Sequence, residues 1–184
     1  MKRAIEHNLL LCQASSQKLL NYYNLEKRIF VINNDILRRI RYTFDFNDSK
    51  MIELFGLAGL KVTREQISDW LKKDEDPAFQ KCSDTELATF LNGLIIDRRG
   101  KKDGPQPQPE KRLTNNAIFM KLKIAFDLKA EDVLDILNLS DVQISKHELS
   151  AFFRKPDHKH YRECKDQILR NFLNGLQLKY RDNE

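Results

Sequence analysis

The chain has 184 residues, of which 41% are hydrophobic and 32% charged, and it carries a formal net charge of +5. This is a globular composition, and no apolar run approaches the roughly 20 residues that a membrane-spanning helix requires. The three cysteines are odd in number and lack metal-type pair spacing, which argues against a disulfide framework and for a reduced, cytoplasmic protein with no cofactor.

The positive charge is unevenly placed. Residues 1–32 carry +3, residues 33–100 carry −1, residues 101–114 carry +2 and residues 115–184 carry +1. A basic footprint for nucleic acid must therefore be a local patch rather than the field of the whole molecule.

Residues 1–30 form an N-terminal extension. Met1–Cys12 has an apolar core of only Leu9–Leu11, and bulky Leu11 precedes Cys12 where an export signal would place a small residue. Val31 is a candidate alternative start of translation. Ser15–Glu26 has the pattern of a short amphipathic helix.

From Asn33 onward the chain contains itself twice. Residues 33–102 fall on residues 115–184 without a gap, an offset of 82. Identical pairs include Asn33/Asn115, Asn34/Asn116, Phe44/Phe126, Asp45/Asp127, Cys82/Cys164, Asn92/Asn174, Gly93/Gly175 and Arg99/Arg181. Such duplication fixes architecture more firmly than local propensity does. The organisation it implies is a first repeat over 31–100, a linker over 101–114 and a second repeat over 115–184. A unit of this size is marginal alone, so the two should share buried surface.

Each repeat accommodates four helices. The first follows Asn34, a good N-cap, with Ile36, Leu37, Ile40 and Phe44 at helical spacing; its counterpart shows Ile118, Phe119, Leu122 and Phe126. The second starts near Asp48 with Met51, Leu54, Phe55 and Ala58, and Gly59 stops it; the copy shows Val133, Ile136, Leu137 and Ser140. The third opens on capping boxes, Thr63 to Gln66 and Ser145 to Glu148, and buries Ile67, Trp70 and Leu71, or Leu149, Phe152 and Phe153. The fourth begins at Ser83, with a box to Glu86 and Cys82 as a hydrophobic staple on Leu87. Its second copy has Lys165 at the capping position, a poor cap. Asn92-Gly93 and Asn174-Gly175 fall inside this last pattern. They predict either a close backbone approach, fourth helix against fourth helix across a pseudo-twofold axis, or an end to the helix.

The linker, GKKDGPQPQPEKRLT over Gly100–Thr114, alternates Pro105, Pro107 and Pro109 with polar residues. It reads as an extended spacer that can lay the repeats side by side or let two chains exchange them.

Long motifs carry a family resemblance. They are Asn33-Asn34 before a helix, Trp70-Leu71-Lys72-Lys73, Phe90-Leu91-Asn92-Gly93-Leu94, the run from Ser145 to Arg162, and Leu176 to Arg181. In these, residues 31–181 resemble the YehS-like bacterial proteins. The resemblance implies a cytosolic protein built from a tandem domain of unknown function that starts near Val31, and it supplies no catalytic residues.

Three patterns bear on chemistry. The second and third helices resemble a helix-turn-helix in outline, with Arg64, Gln66, Ser68 and Lys72 outward, but Glu65 and Asp69 share that surface and the turn is long; two packed bundle helices explain the same pattern. In the second repeat Lys146, His147, Arg154, Lys155, His158, Lys159, His160 and Arg162 gather around Tyr161, a set suited to phosphate contacts and base stacking. The first repeat is acidic there, Asp74-Glu75-Asp76. The two loops could also pair with each other, within a chain or in a homodimer, or simply be solvated. His158, His160 and Cys164, with His147, are metal-capable groups, but their spacing is no known zinc signature and surface histidines account for them.

These readings add up to an all-α protein of two homologous four-helix repeats in pseudo-twofold arrangement joined by a Pro-rich linker. The absence of a phosphate loop, nucleophile elbow or paired-carboxylate motif points to a non-enzymatic binding module. The leading expectation is a regulator that binds RNA or single-stranded DNA through the second repeat and the basic flanks of the linker, Arg98, Arg99, Lys101, Lys102, Lys111 and Arg112. The alternative is a protein-interaction adaptor without nucleic-acid contact. Neither involves a membrane or a metal.

Overall fold

The computed structural model describes residues 31–181. The expectations for residues 1–30 lie outside the described residues. Eight helices and no strand occur among the described residues. The first repeat supplies α1 (Asn33–Thr43), α2 (Asp48–Leu57), α3 (Arg64–Leu71) and α4 (Asp84–Arg99). The second supplies α5 (Asn115–Ala125), α6 (Ala130–Asn138), α7 (Lys146–Phe152) and α8 (Asp166–Tyr180). From Ile32 onward the chain is one compact unit that holds both repeats.

Local signals set the helix starts. Thr63, Ser83 and Ser145 accept from the backbone of the third helical residue, and Gln66, Glu86 and Glu148 reach back to the cap, closing three capping boxes. The first turns of α2 and α5 are capped by Asn47 and Thr114. Past α2 the chain turns through Gly59 at φ +88°, and past α6 through its repeat partner Asp141 at φ +58°. Glycine takes this left-handed conformation freely and aspartate tolerates it.

Asn34 is not the cap of α1. Ile32 holds that position, and Asn34 is the second helical residue, fully buried. Its Nδ2 donates to the carbonyls of Trp70 and Gln80, both at 2.8 Å, and its Oδ1 accepts from Cys82 N–H at 3.0 Å. Asn116 repeats the arrangement, donating to Phe152 and Arg162 carbonyls at 2.9 Å and accepting from Cys164 N–H at 2.9 Å. One residue earlier, Asn33 and Asn115 donate to Asp84 and Asp166. The Asn-Asn pair thus ties the loop between the third and fourth helices to the first helix. A buried backbone group left without a partner costs about 1–3 kcal/mol, so three satisfied partners make this position decisive.

The Asn-Gly pairs also sit differently from either expectation. Both helices run straight through them. The close approach is real, but its partner is the second helix of the same repeat. A Cβ on Gly93 would lie 1.7 Å from Leu54 O, and one on Gly175 would lie 1.9 Å from Ile136 O. Helix α4 packs on α2 within its repeat and on α5 of the other, and α8 packs on α6 and α1 in the same way. The pseudo-twofold contact is therefore fourth helix against first helix.

Identical residues meet on that axis. Phe44 and Phe126 stack at 4.3 Å between centroids and 17° between planes. Tyr180 flanks the pair at 5.5 and 6.0 Å, and its repeat partner Arg98 lies 5.9 and 5.8 Å from the same two rings. Arg99 pairs with Asp127 at 2.8 Å, and Arg181 with Asp45 at 3.5 Å, each crossing between repeats. Off the axis the repeats exchange volume. Phe55 stands against Trp70 and Phe90 where the second repeat has Leu137, and Phe119 stands against Phe172 where the first has Leu37. A large residue on one helix is balanced by a small one on its neighbour, which keeps the core filled.

The linker is held down rather than free. Leu113 is buried and its N–H donates to Asp84. Pro107 O accepts from Asn92, and Glu110 meets buried Lys121 at 2.9 Å, whose Nζ also donates to Asn92 at 2.6 Å.

Two substitutions test this packing. Gly175→Ala should lower stability by roughly 3 kcal/mol, because its Cβ meets backbone that cannot rotate away. Asn116→Leu should lower it by a similar amount, roughly 3 kcal/mol, through three orphaned backbone groups. Urea midpoints at constant slope check both; an unchanged midpoint in either variant removes the corresponding constraint.

Candidate nucleic-acid interface

The basic cluster of the second repeat is built on the loop between α7 and α8. Its start is fixed by the Ser145–Glu148 capping box, and the backbone bond from Ser145 holds the Glu148 carboxyl below the usual carboxylate range. The loop then folds on itself. His158 N–H donates to Lys155 O at 2.9 Å, Tyr161 N–H to His158 O at 2.7 Å, and Arg162 N–H to Ala151 O at 3.1 Å. The first repeat shows the same three bonds, from Asp76 to Lys73, Phe79 to Asp76 and Gln80 to Asp69. Two loops of one backbone design therefore carry opposite charge.

Lys155, His158, Lys159, His160 and Arg162 are exposed on this scaffold. His160 N–H donates to His158 Nδ1 at 3.1 Å, and the ring of His160 lies 6.3 Å from that of His147. Arg162 stands 3.9 Å from Glu148, a long and exposed pairing. Lys146 is paired with Glu131 at 2.7 Å, and that bond raises the ammonium above its ordinary pKa. Tyr161 is half-buried, and its hydroxyl donates to Asn116 Oδ1 at 3.1 Å, so the ring joins the loop to its clamp. Phe153, Arg154, Lys155, Asp157, His158 and Lys159 line a depression beside the loop.

The linker flanks divide. Arg98 and Arg99 belong to the contact between repeats, over Phe44 and Phe126 and against Asp127. Lys101, Lys102, Lys111 and Arg112 are exposed and form no ion pair among the described residues. In the helix-turn-helix outline, six residues separate α2 from α3; Gln66 is engaged in its capping box and Lys72 pairs with Asp69 at 2.7 Å.

Cys82 and Cys164 are fully buried under the fourth helices. Burial, with nearby Glu86 and Asp84 or Asp166 and Glu163, pushes each thiol up to about 12. A thiol so held is no nucleophile at neutral pH. Among the described residues no three His, Cys, Asp or Glu side chains converge as metal ligands. No helix among the described residues is long and apolar enough to cross a membrane.

This geometry coincides with a known family. The family model described as "Protein of unknown function (DUF1456)" matches residues 33–100 and again 115–182. The chain belongs to that family. Over 147 residues it is 45% identical to "Uncharacterized protein YehS" of Escherichia coli (strain K12), a match that spans 79% of this chain and 94% of that protein. No solved structure matches the chain. The YehS-like resemblance carried by the sequence motifs is thereby shown, and both DUF1456 units coincide with the two four-helix repeats.

The buried thiols generate a pH signature. Unfolded, each ionises near its ordinary value of 9.0; folded, each stays protonated to about 12. Between those limits the unfolded state binds fewer protons, so the thiols add nothing to the pH dependence well below pH 9 and lower stability as pH rises through the window. The stability of a Cys82→Ala, Cys164→Ala chain should fall less steeply over pH 9–11 than that of the parent. Native Cys12→Ser protein should also resist thiol reagents at pH 8 until denaturant is added; rapid labelling of folded protein would contradict the burial.

Proposed function

We propose that the chain is a non-enzymatic nucleic-acid-binding module that acts in the cytoplasm through the α7–α8 loop, with the exposed linker cations Lys101, Lys102, Lys111 and Arg112 adding phosphate contacts. The observation that carries this reading is a pair of loops with one hydrogen-bonded backbone, of which the second presents Lys155, His158, Lys159, His160 and Arg162 outward. A pre-ordered cationic loop loses little entropy on meeting a polyanion, and the release of counterions drives the association. Because Tyr161 is held by Asn116, phosphate contacts rather than base stacking dominate.

Anisotropy of labelled single-stranded RNA and DNA tests the proposal. About five phosphate contacts on a single strand predict roughly a hundredfold loss of affinity between 50 and 200 mM salt. Replacing Lys155, Lys159 and Arg162 by Gln should weaken binding and flatten that salt slope. Absence of oligonucleotide binding at both salt concentrations, with recovery of a stoichiometric protein partner from cells, would instead establish the adaptor role.

A further inference from the structure

The two repeats act as controls for each other. In the first, two cations beside the loop, Lys72 and Arg38, have partners built in. Lys72 pairs with Asp69 at 2.7 Å, and Asp74 lies 3.5 Å from Arg38, which also pairs with Asp35 at 2.5 Å. In the second repeat Arg154 and Lys155 stand at the positions of Lys72 and Lys73, so these two cations are kept, whereas Met120 stands for Arg38. The carboxylates are not: Ala151 stands for Asp69, Pro156 for Asp74, His158 for Asp76 and Ala117 for Asp35. Lys159 replaces Pro77, which adds a further cation; Asp157 remains in place of Glu75, and Glu163 stands where the first repeat has Lys81.

A second observation, independent of this comparison, falls on Arg154, one of the residues that line the depression beside this loop. Arg154 Nη2 donates to Ser150 Oγ at 3.3 Å, but its Nη1 is buried and finds no acceptor among the described residues. A buried guanidinium N–H without an acceptor is costly, and its planar fork matches phosphate oxygens. Arg154, Lys155, Lys159 and Asp157 give the depression a net charge of +2 with His158 neutral. That complements a phosphomonoester, which carries about −1.5 to −2 at pH 7, better than a singly charged internal phosphodiester.

We propose that the depression lined by Phe153, Arg154, Lys155, Asp157, His158 and Lys159 is a phosphomonoester site, with the Arg154 guanidinium turning its unpaired donor to the anion. Its carrier, which rests on the nucleic-acid reading above, is the phosphorylated end of a single strand. The site holds the terminal group while Arg162 and the linker cations contact the strand beyond it.

The test uses the full chain and two probes. Inorganic phosphate, titrated at constant ionic strength with chloride as control, should shift the amide resonances of residues 153–159. Oligonucleotides carrying a 5′- or 3′-terminal phosphate should bind about tenfold more tightly than the same strands with hydroxyl ends. Arg154→Gln should remove both effects; if that variant does not fold, Lys155→Gln with Lys159→Gln serves, since both side chains are exposed. Salt-dependent oligonucleotide binding that ignores the terminal phosphate and survives Arg154→Gln would overturn the site and leave the nucleic-acid reading intact. Arg154-dependent binding of inorganic phosphate without any oligonucleotide binding would uphold the site and overturn that reading. Failure of both probes removes both.

Discussion

A buried asparagine in the first turn of each repeat decides where the rest of the chain goes. Asn34 and Asn116 each answer one carbonyl at the end of the third helix and one carbonyl and one N–H of the loop beyond it, and no other side chain offers two donors and an acceptor in that space. Aspartate has no donor for the carbonyls, and glutamine is a methylene too long for a closed core. The loop so held delivers Cys82 or Cys164 beneath the fourth helix and sets where that helix begins. The fourth helix in turn approaches the second so closely that only glycine fits, at Gly93 and Gly175. One polar clamp and one missing Cβ thus fix the mutual placement of all four helices.

The pseudo-twofold axis explains which residues the two copies still share. Phe44 and Phe126 stack on each other, and Asp45 and Asp127 meet Arg181 and Arg99. A contact on such an axis is formed by the same position from both sides, so a change in either copy disturbs a partner of its own kind. Away from the axis each copy solves its packing alone, and there Leu37 with Phe55 has become Phe119 with Leu137. Symmetry is also broken where the environment allows it: Arg98 and Tyr180 both lie against one stacked pair, one through its cation and the other through its ring.

What could be read from the sequence was whatever depends on near neighbours. Helical periodicity located the buried faces, and the capping boxes at Thr63, Ser83 and Ser145 marked helix starts because both halves of each bond lie three residues apart. What escaped depends on partners far along the chain. Asn34 looks like a cap by type and spacing, yet its acceptors lie 36 and 46 residues away. Gly93 announces a close approach without naming Leu54 as its object. Arg98 and Arg99 look free beside a basic linker, but the second repeat folds back onto them. The proline-rich linker resembles a spacer until Asp84, Asn92 and Lys121 are seen to hold it. At the candidate interface, the change from acidic Asp74-Glu75-Asp76 to a basic stretch in the second repeat was legible in the duplicated sequence, whereas the orphaned Nη1 of Arg154 was not.

The clamp also separates stability from recognition. Once Asn34 or Asn116 fixes the loop backbone, the outward side chains can change sign with little effect on folding, since exposed ion pairs contribute about 0–1 kcal/mol. The acidic and basic loops show that freedom in use. Arg154 is the exception. Its partly buried guanidinium carries an unanswered donor, which lowers stability, whereas a lysine there could snorkel to water as Lys72 does beside Asp69. A residue whose one bond here is a 3.3 Å contact to Ser150, in a loop free to replace it, is more economically explained by an anion that arrives from outside than by the needs of the fold.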